Sequence, residues 1–230
     1  DEFCDEKVNE FENKINELGA ENIAAYIAEP ILASGGCIVP PKGYIKKFWD
    51  LCKKNDILYI SDEVVTSFGR LGHFFSSEEI FGIIPDIITT AKGITSGYMP
   101  LGAVLFSDKL MEDVRKESSL FFHGYTYSGH PACCAAALKN IEIIKRDKIL
   151  EHVRSISPYF QKKLGNLINL PIVGDVRGKG LMTGIECVMN KNSKEALVLD
   201  QAIGTRIDED KLNLIQKLSS QINNNKSRAV

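Results

Sequence analysis

Two short apolar runs, each closed by a single ionisable residue, restrict the fold of this chain more than any other feature. Ile57-Leu58-Tyr59-Ile60-Ser61 ends at Asp62, and the run from Ile83 to Ala91 ends at Lys92, thirty positions after that acid. Apolar runs without strict alternation suit strands covered on both faces, the pattern of a parallel or mixed sheet held between helix layers. Open α/β sheets bind their ligands beyond the carboxyl ends of the strands, where both residues are expected to stand.

Helical spacing fills the intervals. Val8, Phe11, Ile15 and Leu18 recur at three- and four-residue steps before Gly19, which predicts an amphipathic helix over the first twenty residues. A strand at Ile23 to Ile27 closes at Glu29-Pro30, and Ser34-Gly35-Gly36 and Pro40-Pro41-Lys42-Gly43 are turn chemistry. Tyr44, Ile45, Phe48, Trp49 and Cys52 mark one face of the next helix, ahead of the strand that ends at Asp62. A loop rich in Gly and Phe (68 to 82) leads to the strand before Lys92, and Gly102 to Phe106 is another strand.

Further helices are predicted over Pro131 to Ile144 and Ile149 to Ile168, with Pro158 kinking or restarting the second. Gly174 to Gly180 reads as a break before a strand from Leu181 to Val188 that opens a smaller α+β domain. The expected division is residues 1–150 and 151–230. The tail from Ser219 is polar and Asn-rich, with nothing in it that demands order.

Composition narrows the partners. In 230 residues, 28 Lys and Arg stand against 30 Asp and Glu, a net charge of −2 that offers no basic excess for nucleic acid or anionic lipid. No apolar run approaches the ~20 residues of a membrane helix. Cys4, Cys37, Cys52, Cys133, Cys134 and Cys187 show no C-x-x-C spacing and suit a reducing, cytoplasmic setting. His73, His123, His130 and His152 have no metal-ligand spacing, so no metal is assigned. The chain opens without Met in a charged helical stretch, which reads as an internal cut.

A lysine before a glycine is ordinarily a solvated surface residue. Lys92, however, follows an apolar strand and opens the glycine-rich bend Gly93 to Gly102, where backbone approaches a ligand closely. An amine and a carboxylate presented this way suit pyridoxal phosphate: the amine forms an imine with the aldehyde, and Asp62 faces the ring nitrogen and keeps it protonated. Burial of Lys92 would favour its neutral, nucleophilic form. Val64, two residues beyond Asp62 and on the same side of a continuing strand, would press on the ring face.

The segment His123-Gly124-Tyr125-Thr126-Tyr127-Ser128-Gly129-His130-Pro131 gathers hydroxyls and glycines ahead of a helix start, a setting able to donate to phosphate oxygens; an ordinary capped loop fits it equally well. His123 suits a loop-ordering role. Glu29, if it points into the cleft, would meet a cationic amine or an arginine; Arg70 and Arg177 suit structural bonds to loop carbonyls. A nucleotide-binding module is the weakest reading, because neither G-x-G-x-x-G after a strand nor a P-loop is present.

Taken in order, Glu29-Pro30, Gly35-Gly36, Pro40 to Tyr44, Asp62-Glu63-Val64-x-Thr66-x-Phe68-Gly69-Arg70-x-Gly72, Pro85-Asp86-Ile87, Ala91-Lys92-Gly93 and His123 to Pro131 resemble the class III, omega-type aminotransferases over about residues 20 to 208. The form Ile94 to Gly102 with His123 to Pro131 is most similar to the pyruvate-dependent branch, acting on putrescine, beta-alanine, taurine or related amines. The resemblance implies the later part of a fold-type-I large domain, with a mixed, mostly parallel sheet between helices, and the start of a smaller α+β domain.

It further implies pyridoxal 5'-phosphate as cofactor, Lys92 as the Schiff-base lysine, Asp62 as the ring-nitrogen partner and Val64 as a ring contact. Thr126, with Tyr125, would reach the neighbouring subunit's phosphate in a homodimer with shared sites. An aminomutase, racemase or decarboxylase would use the same residues, and a non-catalytic relative is the alternative from another class. The family's earlier half, with its phosphate cradle, has no counterpart before Asp1. Near Asp208 the likeness stops, and the final strands with their carboxylate-binding arginine give way to Lys211 to Val230, so the isolated chain is expected to be poorly active or inactive.

Overall fold

The computed structural model describes residues 2–116, 123–193 and 195–196. The expectations for Asp208 and for the tail from Lys211 lie outside these described residues. Helix α1 (Glu2–Leu18) leads to strand β1 (Ala25–Ala28), helix α2 (Tyr44–Lys54) to strand β2 (Leu58–Asp62), and these are followed by β3 (Ile87–Thr90) and β4 (Ala103–Phe106). The four strands form one sheet in the order β1-β2-β3-β4. β1, β2 and β3 are parallel and β4 runs antiparallel to β3. The predicted mixed, mostly parallel sheet is therefore present.

Helices α3 (Asp108–Lys116), α4 (Pro131–Arg146) and α5 (Ile149–Gly165) follow. Strands β5 (Val173–Lys179), β6 (Met182–Asn190) and β7 (Glu195–Ala196) make a second sheet in that order. By contacts the chain divides into two compact units, one of residues 1–169 with 175–186, the other of 170–174 with the residues from 187 onward. In the first unit α5 is tied down by its buried Val153 and by Arg154, which donates to the carbonyl of Gly72. In the second unit Val188 donates to the carbonyl of Ile172 at 2.8 Å, and Val173 and Val188 are buried.

Aromatic packing seats α1 and α2 against the sheet. Phe48 stacks on Tyr44 and Phe11 with ring centroids 4.4 and 4.8 Å apart, and Tyr26 lies 5.5 Å from the buried Tyr59. Ile15, Ile45, Cys52, Ile57 and Ile83 complete this core. Such rings contribute through buried area and through offset or tilted contacts worth about 0.5–1.5 kcal/mol per pair. A second apolar cluster joins Ile31, Cys37, Leu71 and Met182.

Two expected elements differ. The run from Ile83 is strand only from Ile87, because Pro85 has no N–H for a ladder and Asp86 takes over the joint. Asp86 accepts from the Tyr59 N–H at 2.8 Å and pairs with Lys53, fixing the start of β3 beside β2. Just ahead of it, the Trp49 indole donates to the carbonyl of Ile84 at 3.0 Å. Gly174 to Lys179 belong to β5 rather than to a break, and only Gly180 sits in the turn that follows; the strand glycines permit close pairing, since a Cβ at Gly178 would lie 2.1 Å from the Met182 carbonyl oxygen.

The strand-end acids differ sharply in environment. Glu63 is fully buried and accepts from Ser76 and Ser77, through both backbone N–H groups and both hydroxyls, and from the Thr66 hydroxyl. These bonds fold the 66–77 loop back onto the sheet. Ser67 then meets Thr90 at 2.6 Å between hydroxyl oxygens, joining the loop to the end of β3.

Two expectations follow. Glu63→Ala leaves buried donors unpaired and should cost at least about 3 kcal/mol in urea unfolding; a loss within ~0.5 kcal/mol would show that the loop does not depend on this carboxylate. Burial also pushes the Cys52 thiol from 9.0 up to about 11 and raises the phenols of Tyr26 and Tyr59. Folded values above unfolded ones mean a stability contribution complete below pH 9 and lost as the pH rises from 9 through 11. The urea midpoint should fall across that window, and by less in Cys52→Ala.

Candidate active site

Residue pairing between β2 and β3 brings the two sequence-predicted groups to one end of the sheet. Asp62, the last residue of β2, is the register partner of Thr89, and Lys92 follows immediately after β3 and Ala91. Adjacent strands lie about 4.8 Å apart, so carboxylate and amine leave neighbouring carboxyl ends on the same edge. Lys92 begins a single 3₁₀ turn (Lys92–Thr95) with φ of 44°, in the left-handed region. Gly93 suits the next position because a Cβ there would meet Phe68 Cβ at 2.9 Å.

Two geometric expectations, those for Lys92 and Val64, need correction. Lys92 is exposed, not buried. Asp62 is half-buried, and the fully buried acid is its neighbour Glu63. Val64 does not continue the strand: β2 stops at Asp62, and the Val64 N–H donates to Asp62 Oδ1 at 3.1 Å, an Asx-type turn that orients the carboxylate. One Asp62 oxygen is thus held by backbone while the other remains for a ligand.

Glu29 is half-buried at the exit of β1, where its Oε2 accepts from the Ala33 N–H at 3.0 Å. It shares with Asp62 the wall of a cavity of about 600 Å³, also lined by Tyr26, Ala28, Pro41 and Tyr44. Lys92 is not on that wall. Arg177 bonds the Gly36 carbonyl at 2.8 Å and pairs with Asp175 and Glu186, whose carboxylates raise its pKa, in keeping with the structural role expected of it.

Residues 123–130 are exposed throughout, with Tyr125 at 78% and Thr126 among them. The Tyr125 N–H donates to Ser128 Oγ at 2.9 Å, and the His123 ring stands edge-on to Tyr125. Among the described residues no hydrogen bond or cavity joins Tyr125 or Thr126 to Asp62 or Lys92. The link runs instead through α4, which starts at Pro131 and packs on the Lys92 turn. Its Asn140 donates to the carbonyls of Gly93 and Ile94, at 2.9 and 3.0 Å. The contacts of Asn140 and Glu63 were missed from the sequence. Asn140 interrupts the Ala-rich apolar pattern on α4, a signal that was available.

The chemistry of this donor set, a nitrogen nucleophile and an anion at the carboxyl ends of neighbouring strands, suits pyridoxal phosphate.

Comparison with known proteins agrees. The family model for aminotransferase class-III matches residues 1–217. The chain is 45% identical over 205 residues to a putrescine–pyruvate aminotransferase of Pseudomonas aeruginosa, covering 89% of this chain and 44% of that protein. It is 44% identical to gamma aminobutyrate transaminase 3, chloroplastic, of Solanum lycopersicum, covering 89% and 40%. Among solved structures, an (S)-enantioselective omega-transaminase from Thermomicrobium roseum superposes with a TM-score of 0.80 at 46% identity, over 84% of this chain and 43% of that one. An amine transaminase from an uncultivated Pseudomonas species, in its PLP-bound internal aldimine form, gives 0.79 at 40% identity, over 84% and 44%. The chain thus spans less than half the length of the relatives it matches. Sequence order, sheet topology and these likenesses together place it in the class III aminotransferase family, as a part of the fold-type-I architecture.

Proposed function

We propose that the protein to which this chain belongs is a pyridoxal-phosphate-dependent transaminase that moves an amino group from an omega-amino acid or amine to a keto acid, with pyruvate as acceptor. The observation that carries this reading is the placement of Asp62 and Lys92 at the ends of adjacent parallel strands. When bound, pyridoxal phosphate supplies an aldehyde that takes amines reversibly and a ring that stores an electron pair.

Lys92 would hold the aldehyde end of the cofactor, and its amine would take the proton from the donor's amine-bearing carbon. The Asp62 carboxylate, aimed by the Val64 N–H, would keep a proton on the ring nitrogen by charge. Glu29, on the cavity wall with Asp62, is assigned to the cationic amine of the donor. Val64 is assigned to the ring face.

Thr126 and Tyr125 are assigned to the partner subunit's phosphate in a homodimer; their exposure ahead of the N-terminus of α4 supports this. In this reading residues 1–150 are the later part of the cofactor-binding domain and 151–230 the beginning of the smaller one. Pyruvate and a putrescine-type donor are supported by the name of the Pseudomonas aeruginosa relative. A cytoplasmic setting is supported by six cysteines that are all free; no helix of the described residues is long and apolar enough to cross a membrane.

In the complete protein, Lys92→Ala should lower turnover of putrescine or beta-alanine with pyruvate by about 10²–10⁴-fold and abolish borohydride trapping of pyridoxal phosphate at position 92. Asp62→Asn should retain trapping while lowering turnover by a similar factor. Full turnover in Lys92→Ala, or trapping confined to other lysines, would sink the assignment; amino-group exchange without any keto acid would point to an aminomutase.

A further inference from the structure

The Lys92 turn is strained at both ends. Lys92 has φ of 44° and the residue closing the turn, Ser96, has φ of 52°. L-residues are strained in this left-handed region, and such conformations persist only where the surroundings over-determine them. Within the turn there are the bonds Ile94 N–H to Ala91 O at 3.1 Å, Ser96 N–H to Gly93 O at 3.1 Å and Gly97 N–H to Lys92 O at 3.3 Å. These close the turn on itself and leave its direction relative to the sheet open.

Asn140 supplies that direction. Its Nδ2 donates to the carbonyls of Gly93 and Ile94, while its Oδ1 accepts from the Ser96 hydroxyl at 2.7 Å. Two carbonyls require the amide nitrogen and a hydroxyl suits the amide oxygen, so the side chain has one orientation that satisfies all three. The turn also meets Phe68 at Gly93, where there is no room for a Cβ. The turn is therefore touched by both the 66–77 loop and α4, and Asn140 is the polar contact from the helix.

We propose that Asn140 is a positioning residue for Lys92: by gripping the two carbonyls that follow the lysine and the hydroxyl that ends its turn, it fixes where the amine leaves the sheet. This rests on the reading of Lys92 as the reactive amine. The same rigid helix begins at Pro131, nine residues earlier, directly after the Thr126 segment. At about 1.5 Å per residue, α4 thus sets a separation of roughly 14 Å between the segment assigned to phosphate and the grip on the lysine turn.

The test compares the full chain with its Asn140→Asp and Ser96→Ala variants, using two readouts. Amide hydrogen exchange over residues 92–98 is measured without cofactor. The pH profile of pyridoxal phosphate attachment at Lys92 is measured by borohydride trapping and peptide mass analysis. Asn140→Asp keeps the shape but turns a carboxylate toward two carbonyls. It should speed exchange at Ile94, Ser96 and Gly97 about tenfold, a change of ~1.4 kcal/mol, displace the pH profile at Lys92, and leave trapping at other lysines unchanged. Ser96→Ala should act in the same direction by about threefold, and decides the question if Asn140→Asp does not fold. Exchange and pH profiles like those of the unaltered chain in both variants would overturn the proposal. Failure of the unaltered chain to trap cofactor at Lys92, with exchange still responding to Asn140→Asp, would instead overturn the role of Lys92 and leave Asn140 as a purely structural clasp.

Discussion

A carboxylate cut off from water must be solvated by the protein itself, and Glu63 is the residue around which this requirement shapes the site. Its oxygens are satisfied by groups from Thr66, Ser76 and Ser77, so the chain leaving β2 has to curl back within fifteen residues to bring those donors home. That curl places Ser67 on Thr90 and Phe68 on Gly93, which gives the Lys92 turn one of its two walls. The neighbouring carboxylate, Asp62, points elsewhere and keeps acceptor capacity. Two adjacent acids thus differ: the inner one organises protein, and the outer one lines a cavity.

The consequence for electrostatics is a site assembled from backbone rather than from charge pairs. Asp62 is aimed by a peptide N–H two residues on, and the lysine turn is steered by an amide side chain acting on peptide carbonyls. Neutral dipoles of this kind hold direction without neutralising the groups they aim, so both remain available to a ligand of mixed charge.

What could be read from the sequence was what repeats or terminates locally. The faces of α2 and α4, and the arrest of two apolar runs at Asp62 and Lys92, announce themselves in a few consecutive residues. What was not legible depends on partners far along the chain. Asn140 meets Gly93 across 47 positions and Glu63 meets Ser76 across 13, and neither contact leaves a periodic trace. Asp86 looked like part of a strand, whereas its carboxylate accepts from the Tyr59 N–H across 27 positions. The glycines of β5 looked like a break because close pairing and turning use the same residue. The exposure of Lys92 is what a lysine before a glycine ordinarily shows, although the strand leading to it suggested burial.

The lone tryptophan offers a practical corollary. Trp49 is wedged at the seam between α2 and the entry to β3, tethered to the Ile84 carbonyl, with the ammonium of Lys46 4.6 Å from its ring and that of Lys53, the residue that grips Asp86, at 5.7 Å. Its emission is therefore a built-in gauge of one joint: light from this chain reports whether the helix is still latched to the sheet.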